Sequence, residues 1–370
     1  MKRIAVFIAH YSIGNSPSIL NLLDLLSDCY KVDLFLQSVA MVKTDVLNKR
    51  NVSVLNLGHT ISQSYLRAKL RTVLTSYYCY ICFDPHGFAL CKQFFPDSRP
   101  IYYSLELYMK NDHYGLFYPA KVMERERSQI NTIRGLIIPS REKELLFRQD
   151  YNLSPDILAL LLPVTYKGRS MRQKSLMVRE HYGIDSNKKI ALHLGGIAAW
   201  FSCIEMAIAF SRLENWVLLF HGYQDQKYVQ ELKKMLMQHD IKNVIISDRL
   251  YDSLDDVNPI LQSCDMGIAW YNNITVGFRT AGKSSGKIPA YLKFGLPVIA
   301  KKYPSTIDAL EKTGCGVCID TIDDIALAIS SIEKDYATYA ENAYAEYDRT
   351  YNFELYHSKI IEFIERSVQA

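Results

Sequence analysis

Two series of short apolar runs, separated by one polar and basic interval, constrain this chain more than any other feature. The first series reads Arg3–Ala9, Lys31–Gln37, 52–57, 80–83, 101–105, 135–139 and 157–161. The second reads Lys189–Leu194, Trp216–His221, 243–247, 266–270, 297–300 and Gly316–Ile319. Each run is strand-like, and stretches of helical pattern lie between the runs. That alternation predicts parallel βαβ units, hence an α/β chain of two doubly wound domains. At 370 residues the chain is long enough for two cores. The interval 163–187, PVTYKGRSMRQKSLMVREHYGIDSN, reads as linker plus a short helix. The expected division is residues 1–164 and 165–351. A terminal helix, 352–370, with Phe353, Leu355, Ile360, Ile361 and Ile364 at helical spacing, is expected to return to the first domain.

Composition narrows the function classes. A net charge of +4 is too slight to imply nucleic acid, and the 26 tyrosines and 15 phenylalanines form no stacking pattern. The apolar run 4–9 is too short for a signal-peptide core, and nothing approaches the ~20 apolar residues of a membrane span, so a cytoplasmic protein is expected. Eight cysteines include Cys79-x-x-Cys82 and Cys315-x-x-Cys318, but both pairs lie in strand-like runs where residues three apart face opposite ways. They read as buried free thiols, and no metal site is expected.

The segment 284–300, SSGKIPAYLKFGLPVIA, carries the clearest chemical signal. Ser284 or Ser285 can cap a helix whose first turn, opened by Gly286 and Lys287, tolerates Pro289 because few donors there have intrahelical partners. Gly295 is placed to end the helix in a left-handed residue, and Pro297 prevents its continuation. A helix start with free N–H groups and a lysine is suited to an anion such as phosphate. Open parallel sheets bind ligands beyond the carboxyl ends of their strands, which makes the post-strand loops the candidate walls.

Three further stretches, ALHLGGIAAW, WVLLFHGYQDQKYVQEL and DRLYDSLDDVNPILQSCDMGIAWY, precede that segment in order. Together they resemble the GT-B glycosyltransferases, in particular the retaining, nucleotide-sugar-dependent, family 4-like group. The first half is similar more loosely, through SIGNSPS and GLIIPSREKELL. The resemblance implies two Rossmann-like domains facing across a cleft, with a nucleotide-diphosphate sugar as co-substrate on the second. A glycan or lipid-linked acceptor is then expected on the first, with metal-independent transfer and retention at the sugar. Gly195 and Gly196 would let the backbone approach a pyrophosphate, Ser285, Gly286 and Lys287 would neutralise it, and Arg279 and Lys283 would add charge-assisted contacts. The paired-glutamate motif is degenerate, because Gly282 and Ala290 stand where the family carries its two glutamates. Ala290→Glu is expected to restore ribose contacts if the helix presents that position to the ligand.

In the first half, Asp84-Pro85-His86-Gly87 follows one strand and Glu106 another. His86 and Glu106 are alternative acids or bases, and Asp84 is either a third catalytic candidate or a helix cap. A helix over 64–78, with Arg67, Lys69 and Arg71 beside Leu66, Leu70 and Leu74, offers peripheral contact with an anionic inner membrane face. Two other readings follow from the missing glutamates and the cleft chemistry: a catalytically silent GT-B protein that binds a glycan or partner, and a nucleotide-sugar epimerase.

Overall fold

The computed structural model describes residues 1–9, 13–37, 45–57, 77–110, 112, 119–247 and 257–369. The expected membrane-contact helix lies outside them up to residue 76. Tyr77 and Tyr78 are not helical, and the Tyr78 amide donates to the Arg3 carbonyl at 2.8 Å. Residues 248–256, the first part of the stretch DRLYDSLDDVNPILQSCDMGIAWY, also lie outside the described residues. The chain forms two compact units, Met1–Thr165 with Phe353–Ala370, and Tyr166–Asn352.

Unit 1 is built on seven parallel strands, β1 (Arg3–Ala9), β2 (Lys31–Gln37), β3 (Val52–Asn56), β4 (Cys79–Phe83), β5 (Ile101–Tyr103), β6 (Gly135–Ile138) and β7 (Leu158–Leu161), in the order β3-β2-β1-β4-β5-β6-β7. Strand β1 is buried from Ile4 onward and pairs on both edges, Ile4 with Val32 of β2 and with Cys79 of β4. The topological switch point therefore falls between β1 and β4. Helix His357–Gln369 places Ile360, Phe363 and Ile364 in this core. Gly135 makes that approach possible, because a Cβ there would stand 2.7 Å from the Phe363 ring.

Unit 2 has six parallel strands, β8 (Lys189–Leu194), β9 (Trp216–His221), β10 (Val244–Ile246), β11 (Met266–Ala269), β12 (Val298–Lys301) and β13 (Gly316–Ile319), in the order β10-β9-β8-β11-β12-β13. Its switch point lies between β8 and β11, whose ladder holds only Met266 with Ala191 and Gly267 with Leu192. Beyond that short ladder the Tyr291 hydroxyl takes over, accepting from the Leu194 amide at 2.7 Å and donating to the Ile268 carbonyl at 3.1 Å. Gly267 leaves room for the ring, which a Cβ would meet at 2.3 Å.

The interval expected as linker contains its short helix, Met177–Tyr182, but from Tyr166 onward it is fastened to unit 2. The Tyr347 hydroxyl donates to the carbonyls of Tyr166 and Gly168 at 3.0 Å each, and Asp348 accepts from the Ser170 amide and hydroxyl at 2.8 and 2.9 Å. The interval contributes mainly backbone groups to these bonds, with the Ser170 hydroxyl as its one side chain among them. The Cys79, Cys82, Cys315 and Cys318 thiols are buried and free.

Candidate active site

In unit 2 the chain leaves β8 through Gly195, whose φ of 121° is left-handed and suits glycine alone. Its amide donates to the His221 carbonyl at 2.8 Å, and Gly222, at φ 142°, lies so near that a Cβ there would stand 2.2 Å from the Gly195 carbonyl oxygen. The loops after β8 and β9 therefore run backbone against backbone at the switch point. A Cβ on Gly195 would meet Cε of Lys287 at 2.8 Å, and one on Gly196 would meet the Phe201 ring at 2.7 Å. Both glycines thus make room for neighbouring side chains.

Lys287 is the first residue of helix Lys287–Lys293, which follows Gly286 at its N-cap. The Ser285 hydroxyl accepts from the Lys287 amide at 3.1 Å and shares a short hydrogen bond with the Tyr271 hydroxyl, while the Gly286 carbonyl accepts from the Tyr166 hydroxyl at 3.1 Å. Ser285 therefore acts one residue before the cap. Gly295, at φ 66°, ends the segment as expected.

The Lys287 side chain is buried, with Nζ 3.8 Å from the centroid of the Phe201 ring and 4.7 Å from that of Tyr271. Among the described residues no carboxylate pairs with it. Burial pushes its pKa down to about 7, because removing the ammonium from water costs more than the rings return. Beneath it, His193 is buried and donates from Nε2 to the Gly196 carbonyl at 3.0 Å. Burial, reinforced by the Lys287 charge, holds its pKa down to about 3, so the imidazole stays neutral. Asn272 fixes the aromatic side: Oδ1 accepts from Trp270 Nε1 and from the Ser202 hydroxyl at 3.0 Å each, and Nδ2 donates to the Ala199 carbonyl at 3.1 Å.

The structure thus gathers Gly195, Gly196, Ser285, Gly286 and Lys287. Arg279 and Lys283 have partners of their own. Arg279 donates to Asn273 Oδ1 at 2.8 Å, and Lys283 forms an ion pair with Asp308 at 3.4 Å. The two departures from the family pattern have physical causes. A Cβ on Gly282 would stand 2.0 Å from the Ser305 carbonyl oxygen, so no side chain fits there. Ala290 is 2% exposed and packs in the unit 2 core, which corrects the expectation that the helix presents this position to a ligand.

In unit 1 the candidate groups stand at the carboxyl ends of β4 and β5. Asp84 is buried at φ 52°, and its Oδ1 accepts from the Leu105 amide at 2.8 Å and the Glu106 amide at 3.1 Å. Oδ1 of this carboxylate is thus committed to backbone amides, and Asp84 stands inside its own helix, after Phe83 at the N-cap. His86 is half-buried in the first turn of helix Asp84–Phe94, which lies on β1 because Gly87 has no Cβ to meet the Phe7 carbonyl at 2.5 Å. Glu106 keeps solvent access, although the protein mass around it pushes its carboxyl pKa up, against the opposing Lys143 charge.

Lys143 is the group that sequence reasoning missed. It is buried in the first turn of helix Arg141–Tyr151, where its amide donates to the Ser140 cap at 3.2 Å, and its Nζ donates to the Leu105 carbonyl at 3.4 Å. Burial lowers its pKa, with Glu106 and Asp84 opposing. The available signal was a lysine three residues past a cap that directly follows a buried strand, in PSREK.

The architecture of the whole chain is that of the GT-B class. The structure of Anabaena HepE in complex with UDP and glucose matches at a TM-score of 0.75 and 16% identity, covering 99% of this chain and 100% of that one. Sucrose-phosphate synthase from Thermosynechococcus elongatus matches at 0.74 and 13%, with 99% of each chain covered. A glycosyltransferase from Rickettsia africae matches at 0.71 and 11%, covering 99% and 98%. Within the second unit, residues 242–351 match the family model described as glucosyltransferase 3-like, C-terminal domain. No curated protein sequence matches the chain.

Proposed function

We propose that this protein is a glycosyltransferase that moves a sugar from a nucleotide-diphosphate donor, of the UDP-sugar class, to a glycan or lipid-linked acceptor. One observation carries the reading: a buried lysine ammonium with no carboxylate partner among the described residues, beside a left-handed Gly195 turn at the switch point of a parallel sheet. A site of that kind is short of one negative charge, and a diphosphate supplies it. The structures of HepE with UDP and with UDP-glucose support a uridine donor.

Unit 2 takes the donor and unit 1 the acceptor. The bond from the anomeric carbon to the diphosphate oxygen breaks, and the acceptor hydroxyl oxygen forms the new bond to that carbon. The acceptor proton passes to Glu106 or His86, or to the departing phosphate, whose developing charge Lys287 stabilises. Retention at the sugar, independence of a metal and peripheral action at a membrane belong to the same proposal: the first follows the family resemblance, the second the lack of an Asp-x-Asp sequence after a strand, and the third the basic residues Arg67, Lys69 and Arg71 in the sequence. The test is turnover of a panel of nucleotide sugars by the full chain, with and without chelator: transfer or slow hydrolysis of at least one donor supports the reading.

A second reading, a silent GT-B protein that binds a glycan or partner, is favoured by Gly282 and Ala290, which leave the paired-glutamate motif absent and, at Ala290, the donor ribose without its usual carboxylate. Absence of turnover together with absence of nucleotide affinity would decide for it.

A further inference from the structure

We propose that unit 1 carries a second ligand site, at the amino ends of its strands, for a small phosphorylated molecule with a flat ring, of the class of nucleoside mono- and diphosphates. A cavity of about 540 Å³ there is lined in part by Tyr77, Tyr80, Phe95, Asp97, Arg99 and Arg134. Cys79 opens β4, Ile101 opens β5 and Gly135 opens β6, so these residues stand at the opposite end of the sheet from His86 and Glu106. The volume falls within the ~300–1,000 Å³ of small-molecule sites.

One wall is aromatic and held in place. The ring centroids of Tyr77 and Tyr80 are 5.5 Å apart, and Phe95 lies 5.8 Å from the first and 5.2 Å from the second. The Tyr77 hydroxyl donates to Asp33 at 2.6 Å, and Arg3 forms an ion pair with the same carboxylate at 2.9 Å. The turn after Phe95 is fixed as well, by the Ser98 amide and hydroxyl on the Phe95 carbonyl at 3.1 and 2.6 Å and by the Lys92 amine on the Ser98 carbonyl. Held in place in this way, the half-buried rings of Tyr80 and Phe95 are preorganised to stack a flat ring.

The other feature is charge. Among the described residues no carboxylate pairs with Arg99 or Arg134; Arg134 donates to the Val368 carbonyl, and Arg99 is exposed. Two guanidinium groups against one acid, Asp97, leave the lining with a net positive charge suited to phosphate. A ring on the aromatic wall with its phosphate toward the two arginines uses both features. Neither feature serves the proposed transfer, so this inference stands apart from that reading.

Calorimetric titration of the full chain carrying Lys287→Met, with UMP, AMP and inorganic phosphate as separate probes, tests it. The expected result is one equivalent of UMP or AMP bound at least tenfold more tightly than phosphate, and weakened tenfold or more by adding Arg99→Glu. Arg99 is exposed, so that substitution leaves the thermal midpoint unchanged. If Lys287→Met still binds nucleotide at the donor site, two equivalents appear and Arg99→Glu removes one. No binding of any probe, affinity unchanged by Arg99→Glu and by Arg134→Gln, or phosphate bound as tightly as the nucleotides would each overturn the proposal.

Discussion

The ammonium of Lys287 rests 3.8 Å from the centroid of the Phe201 ring, in space that exists because residue 195 has no side chain. A cation held by ring faces and left without a carboxylate is poorly stabilised until an anion arrives, which is why its pKa is brought down to about 7. Proton linkage follows. A bound diphosphate raises that pKa, so binding is strongest below about pH 7 and weakens as pH rises toward the pKa of the complex. Calorimetry of UDP binding at pH 8, repeated in buffers of different ionisation enthalpy, should show uptake of up to about one proton, and Lys287→Met should abolish that uptake.

Gly195→Ala tests the packing beneath the same lysine. The new methyl would meet Cε at 2.8 Å in a backbone conformation, φ 121°, that alanine adopts only under strain. A loss of roughly 1–3 kcal/mol in denaturant unfolding is expected, with weaker UDP binding. Stability and affinity both equal to wild type would show that the turn is not needed.

Introducing the family glutamates should not help. Ala290→Glu puts a carboxylate into the unit 2 core, where its desolvation costs on the order of 1–3 kcal/mol, and Gly282→Glu collides with the Ser305 carbonyl. Both variants are expected to melt at lower temperature with no tighter UDP binding. A gain in affinity for Ala290→Glu, measured by calorimetry, would restore the sequence-based expectation for that position.

Much of this was legible in sequence. The bounds of Arg3–Ala9, Lys31–Gln37, Lys189–Leu194, Trp216–His221 and Gly316–Ile319 can be read directly, because buried parallel strands are short, mostly apolar runs set between helical patterns. The left-handed Gly295 and the lysine at the helix start were readable from local chemistry alone. The partners of Lys287 were not, since Phe201 and Tyr271 come from other loops and only the fold brings them together. The same holds for Gly282 against Ser305, for Asp84 turned onto the Leu105 and Glu106 amides, and for Lys143 beneath them. Sequence marks which residues can do chemistry, whereas burial and backbone direction decide which of them are already occupied.

Unit 1 offers a separate pH test. Glu126 is buried, with both carboxylate oxygens accepting from tyrosine hydroxyls, Tyr102 on one and Tyr151 at 2.6 Å on the other, and burial pushes its pKa up to about 7. A folded-state pKa above the unfolded value gives stability that is complete below the unfolded pKa and lost as pH rises through about 7. Glu126→Gln removes that loss. It should be more stable than wild type by roughly 1–3 kcal/mol at pH 8 and lose the advantage near pH 4.5, as read by urea unfolding.

The backbone bonds held by Asp84 can be separated from the catalytic role proposed for His86. Asp84→Ala leaves one buried and one part-buried amide without that acceptor and should cost roughly 1–3 kcal/mol of unfolding free energy, whereas His86→Ala, at a half-buried side chain, should change stability by less than about 0.5 kcal/mol. Equal stability losses for the two would contradict the division of roles.

The most direct measurement is titration of wild-type protein and of Lys287→Met with UDP at pH 6.5, with the thermal midpoint of each recorded alongside. Wild type is expected to bind one equivalent of UDP at unit 2 in addition to any taken by the unit 1 cavity, which Arg99→Glu in both proteins removes, and Lys287→Met, folded and melting no lower, is expected to bind the unit 2 equivalent at least tenfold more weakly, the loss of one charge-assisted contact of roughly 1.5–3 kcal/mol. Equal UDP affinity at unit 2 in the two proteins, both carrying Arg99→Glu, would contradict it.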